Sequence, residues 1–108
     1  MSEKELKSFK EFWPYYLGEH RLPRNRFLHY CGTFFSTALL VWLILTQNWW
    51  FIPLALVVGY GPAWIGHFSL EKNRPATFTY PLWSLAADYK MFYYALTGRL
   101  KYEWPKYF

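Results

Sequence analysis

YCGTFFSTALLVWLILTQNWWFIPLALVVGYGPAWIGHFSL, residues 30–70, contains no Asp, Glu, Lys or Arg in 41 positions. The core of a 108-residue soluble protein rarely tolerates so long an uncharged run. A bilayer requires one, at about 20 apolar residues per helical span. Gln47 and Asn48 form a polar turn inside the run, and Trp49 and Trp50 follow it as markers of a membrane interface, where amphipathic rings concentrate. The stretch therefore reads as two antiparallel spans, 26–46 and 49–70, with Asn25 as N-cap of the first.

The flanks are basic. Lys4, Lys7, Lys10, Arg21, Arg24 and Arg26 precede the run, Lys72 and Arg74 follow it, and the 47–48 turn has no basic residue. Cytosolic segments are enriched in Lys and Arg, so both open ends of the hairpin are assigned to the cytosol. Arg99, Lys101 and Lys106 put the C-terminus there too. A net charge of +5 raises nucleic-acid binding as a class. Because these charges flank apolar spans, anionic membrane lipids are the expected partner and nucleic acid is not.

Around the hairpin, residues 2–17 read as a basic amphipathic helix lying in the membrane interface. Ser2 and Glu5 fit a capping box, and Leu6, Phe9, Trp13 and Tyr16 form an apolar stripe. Pro14 is expected to kink or divide this helix, and Gly18 with Pro23 to end it. Residues 81–97 read as a third helix, opened by Pro81 and closed by Gly98. It contains Asp88 and Lys90, and so is expected to lie tilted or partly buried near the cytosolic interface. The fold class is an all-α integral membrane helical bundle, one domain over 1–108. A lone cysteine, Cys31, excludes an intrachain disulfide and a cysteine-based zinc site. The charged start does not read as a signal peptide.

The hairpin decides which residues can meet. His29 is one turn into the first span and His67 one turn from the end of the second, so both stand at one depth. His20 precedes the first span on the same side. A lone histidine on an apolar helix is usually a hydrogen-bonded core residue. Three in one layer point instead to a metal site, since intramembrane ionisable groups mark functional sites. Gly32, Thr33, Ser36 and Thr37 follow His29 at helical spacing, and Ala63 and Gly59 precede His67 likewise. Such small residues let membrane helices approach closely. Pro62 is expected to kink the second span just before His67.

Glu71, four residues after His67, is open to three readings: a fourth ligand, a carboxylate orienting an imidazole, or a surface lysine partner. Asp88 shares a face with Ser84 and reads as a base near the metal or a structural anchor. Imidazole ligands suit Zn, Fe, Cu and Ni, and three of them with an open position serve either a zinc-bound hydroxide or a non-haem Fe(II). Residue chemistry alone leaves that choice open.

FWPYYLGEHRLPRNRFLHYCGT (12–33) and WIGHFSLEKNRPATFTYPLWSLAADYKM (64–91) resemble a small membrane family first catalogued as a domain of unknown function. Its characterised eukaryotic member is a 2-hydroxy fatty acid dioxygenase of the endoplasmic reticulum. The resemblance covers about residues 9–98, and the HFSLEKNRPATF block is its most specific part. It implies an Fe(II)-dependent alpha-oxidation of a 2-hydroxy fatty acid by O2. Its histidines fall on His20, His29 and His67 as metal ligands, with Glu71 and Asp88 completing the catalytic candidates. Arg26, Lys72 and Arg74 are then the cations placed to attract the substrate carboxylate, or equally to contact headgroups. The expected location is a multi-pass protein of the cytoplasmic membrane in a bacterium, or, as the resemblance implies, of the endoplasmic reticulum in a eukaryote, with the basic flanks putting the active side in the cytosol. The competing readings are a non-enzymatic lipid-binding or assembly protein with structural histidines, and a metal or proton transporter. The chain is small for the latter unless it forms a homo-oligomer.

Overall fold

A computed structural model describes residues 6–108. They form five α-helices and no strand: α1 (Phe9–Gly18), α2 (Pro23–Leu45), α3 (Ile52–Ile65), α4 (Pro81–Leu96) and α5 (Leu100–Tyr107). These gather into two compact units. One is His20–Pro75; the other joins the N-terminal segment through Glu19 to Ala76–Phe108.

The His20–Pro75 unit is the helical hairpin. α2 begins at Pro23, not at residue 26, because proline suits the first helical position, where its missing N–H is not needed. Asn25 is consequently no N-cap: it lies inside the first turn, and its side chain is fully buried. Leu22, extended at φ −81° and ψ 126°, precedes the helix and offers no side-chain cap. After Leu45 the chain turns through Gln47 at φ 60°. A 3₁₀ turn, Trp49–Phe51, leads into α3, and a π-helical turn, Gly66–Glu71, extends it. α3 runs on past Pro62.

Two helical runs of 23 residues result, Pro23–Leu45 and Trp49–Glu71, each long and apolar enough to cross a membrane. At about 1.5 Å per residue each spans roughly 35 Å, against about 30 Å of hydrocarbon. Only 17% and 22% of their most apolar windows are buried. Phe34, Phe35, Leu45 and Trp50 project outward, while the small-residue seam faces inward. A Cβ placed on Gly32 would stand 2.5 Å from the backbone oxygen of Gly59, so the two helices are in backbone contact there.

The second unit is an aromatic assembly. The Ser2–Glu5 capping box lies outside the described residues. α1 is capped by Ser8, whose Oγ accepts the Glu11 N–H at 3.2 Å. Pro14 does not divide it. Its buried face is Phe12, Trp13, Tyr16 and Leu17, and Phe12 meets Tyr80 and Trp83 at centroid distances of 5.4 and 5.8 Å. Of the stripe expected to face lipid, Trp13 and Tyr16 are buried and Leu6 and Phe9 half-buried, because Tyr80 and the α4 residues Trp83 and Tyr94 supply matching rings. α4 ends as expected, with Gly98 left-handed at φ 73°. α5 was not anticipated. It brings Glu103 into the core, where Trp13 Nε1 donates to it at 3.0 Å and Lys106 Nζ at 2.7 Å. Burial alone would raise the Glu103 pKa, but the hydrogen bonds from Lys106 and Trp13 and the two nearby lysine charges together hold it below its ordinary value. Lys90 packs over the Trp13 ring at 4.3 Å, and burial lowers its pKa despite Glu103.

Candidate metal site

The three histidines reach one point from three kinds of backbone. His29 stands on α2, His20 on the short connection before it, and His67 in the π-helical turn after α3. Their candidate ligand nitrogens all lie within 4.8 Å of one another. The side chains are 1%, 5% and 2% exposed for His20, His29 and His67, so water does not solvate them. The rings meet edge to face at 80–89°, with centroids 4.4 to 5.0 Å apart.

The π turn shapes this geometry. After Glu71 the chain reverses through Lys72, left-handed at φ 57°, and the Asn73 N–H returns to the His67 carbonyl at 3.0 Å. Asn73 Oδ1 then lies 2.7 Å from His67 Nδ1. An amide oxygen only accepts, so His67 Nδ1 carries the proton and Nε2 keeps its lone pair. This is the usual outer partnership of a metal-bound imidazole. His67 Nε2 lies 3.2 Å from His29 Nε2. Two nitrogens each about 2.1 Å from a shared ion, at angles from 90° to tetrahedral, stand roughly 3.0–3.4 Å apart. The donor set fits a divalent transition metal in chemistry, and the His29–His67 pair fits one in spacing. Without an ion, the same contact serves as a hydrogen bond between neutral rings.

The other sequence candidates separate. Glu71 Oε1 accepts the Leu22 N–H at 2.6 Å and the Asn25 Nδ2 amide at 3.4 Å; it is not in the three-histidine cluster. Arg26 turns back on its own chain, where Nη1 donates to the carbonyls of His20 at 2.8 Å and Arg21 at 2.9 Å. Lys72 and Arg74 are exposed. Asp88 belongs to the other unit, accepting a short hydrogen bond from Tyr16, while Ser84 pairs with Thr77 at 3.2 Å. A groove of about 400 Å³ lies along Pro23, Arg24, Phe27, Leu28 and Leu70.

Two residues escaped the sequence reading. Asn73 resembles any polar loop residue, though a metal-bound histidine needs an acceptor for its second nitrogen and Asn73 is close by in the chain. Asn25 carries the composition of a helix cap but fills the space over Gly66, where an added Cβ would fall 1.9 Å from Asn25 Oδ1.

The profile of the family described as 2-hydroxy-palmitic acid dioxygenase Mpo1-like matches residues 6–100, and the chain belongs to that family. No curated protein and no solved structure matches the chain.

Proposed function

We propose that this protein is a membrane-embedded, Fe(II)-dependent dioxygenase that shortens 2-hydroxy fatty acids by one carbon. The observation that carries the reading is the buried cluster of His20, His29 and His67 at one end of an apolar hairpin, in a chain of this family. The reaction balances without a further reductant: R–CH(OH)–COOH and O2 give R–COOH, CO2 and H2O. The substrate supplies all four electrons.

The three imidazoles hold the metal. Bound there, Fe(II) would supply the redox chemistry between O2 and the 2-hydroxy acid. Asn73 keeps the His67 lone pair on Nε2, directed at the centre. Arg26 fixes the His20 segment through its carbonyls, and Lys72 and Arg74, both exposed, draw in the substrate carboxylate. The acyl tail follows the apolar hairpin, starting in the groove beside Phe27, Leu28 and Leu70. Low exposure at the histidines excludes bulk water from the reacting atoms. The basic flanks support a cytosolic position for this end of the hairpin.

The test is turnover by purified, Fe(II)-loaded protein given a long-chain 2-hydroxy fatty acid. The expected products are the acid one carbon shorter and one CO2 per O2 consumed, with no added reductant or 2-oxoglutarate. The zinc-loaded protein should be inactive, since zinc has no redox chemistry. Equal activity of iron-free, zinc-loaded protein would reject the mechanism.

A further inference from the structure

His20 is the one member of the cluster that no helix carries. His29 is held by the α2 hydrogen-bond ladder, and His67 by the π turn and Asn73. His20 lies outside any helix, in the connection between Gly18 and Pro23. Arg26 and Glu71 both hold that connection. Arg26 binds its carbonyls from one side, and Glu71 binds the Leu22 N–H from the other at 2.6 Å. Glu71 also receives the Asn25 amide at 3.4 Å and, among the described residues, forms no ion pair.

Glu71 closes the same π turn that carries His67. Its carboxylate therefore joins the His67 turn to the segment two residues from His20 and, through Asn25, to the first turn of α2, which leads to His29. A negative group at the N-terminus of α2 also meets the positive end of the helix dipole, where no side-chain cap is present.

We infer that Glu71 is a positioning residue of the metal centre: it does not ligate the ion but latches the His20 segment to the His67 turn so that His20 completes the site. The inference rests on the three-histidine metal site proposed above. The latch requires an acceptor oxygen more than it requires charge. Glu71→Gln should therefore preserve it, whereas Glu71→Ala should free His20. Leu22→Pro removes the same bond from the donor side, at a backbone φ of −81° that proline accepts.

The experiment uses the full chain in lipid nanodiscs, titrated with Co(II) against a chelator and followed by its visible ligand-field spectrum. Glu71→Ala and Leu22→Pro should bind Co(II) about tenfold or more weakly, as loss of an outer support typically does, with spectra matching that of His20→Ala. Glu71→Gln should keep the wild-type spectrum and an affinity within about threefold, because a neutral oxygen accepts the same bonds less strongly. Wild-type affinity and spectrum in both Glu71→Ala and Leu22→Pro overturn the latch alone. Equal, severe loss in Glu71→Gln and Glu71→Ala also overturns it, and makes the carboxylate a ligand. No Co(II) uptake by the wild type, or undiminished uptake by His67→Ala, overturns the metal centre itself and the latch with it.

Discussion

Replacing Gly32 by alanine should part the hairpin about one turn beyond His29, and so disturb the histidine cluster. The added Cβ would stand 2.5 Å from the Gly59 oxygen, 3.4 Å from its carbonyl carbon and 3.5 Å from its Cα. These are backbone atoms of the facing helix, so no rotamer change relieves the clash. Ordinary contact begins near 3.4 Å, so the helices must part locally by about 0.9 Å. His29 lies three residues before Gly32 on the same face. Its 3.2 Å approach to His67 would stretch towards about 4 Å, beyond the roughly 3.0–3.4 Å of two nitrogens about 2.1 Å from one ion at angles from 90° to tetrahedral. Overpacking costs about 1–3 kcal/mol, offset by about 1 kcal/mol from exchanging glycine for alanine in a helix. The expected result is about 1 kcal/mol lost in stability and roughly a 10- to 100-fold loss in metal affinity. Gly61→Ala is the control, since its Cβ would meet nothing within 4 Å. Gly59→Ala should be intermediate, because its Cβ would meet the Ser36 side chain at 3.1–3.2 Å. Metal titration and thermal unfolding in one detergent would rank the three. Indistinguishable affinities for Gly32→Ala and Gly61→Ala would refute the close-contact argument.

Asn73→Ala should leave His67 free to choose its tautomer and weaken Co(II) or Fe(II) binding by about tenfold, measured by chelator competition; unchanged affinity would remove Asn73 from the site. Glu103→Gln should lower stability near neutral pH by about 1 kcal/mol, because it breaks charge-assisted bonds to a buried group. The folded pKa of Glu103 lies below its ordinary 4.5, so its contribution is present above that value and fades as pH falls through the folded pKa. Melting curves of the two proteins should therefore converge in acid, and a difference that persists there would contradict the assignment. Single cysteines at Arg74 and Asn48, with Cys31 removed, should label from the cytosolic and opposite sides respectively. Cytosolic labelling of position 48 would reject the spanning hairpin.

Much of the hairpin was legible in residue order alone because its causes are local or periodic. A charge-free run of two span lengths, a polar pair between, and small residues at helical intervals from His29 and His67 place two helices side by side. Once they are antiparallel, the two histidines share a level, and Gly98 marks the end of α4 through its own backbone freedom. The role of Glu71 was not accessible this way. Spacing of four puts it beneath His67 only if the helix keeps its α pitch, and the chain there widens into a π turn that redirects it to Leu22. Asn25 was misread because a cap and a buried amide have the same composition; only the absence of a Cβ on Gly66 decides between them. Asn73 required the left-handed turn at Lys72 to bring it back to His67. α1 and α5 show the same limit, since Trp13 and Glu103 are 90 positions apart and no local pattern announces their bond. Periodicity sets which faces are apolar and which elements can pair. What a polar side chain touches depends on where distant backbone returns, and that is settled by tertiary packing, where each buried donor and acceptor must find its partner.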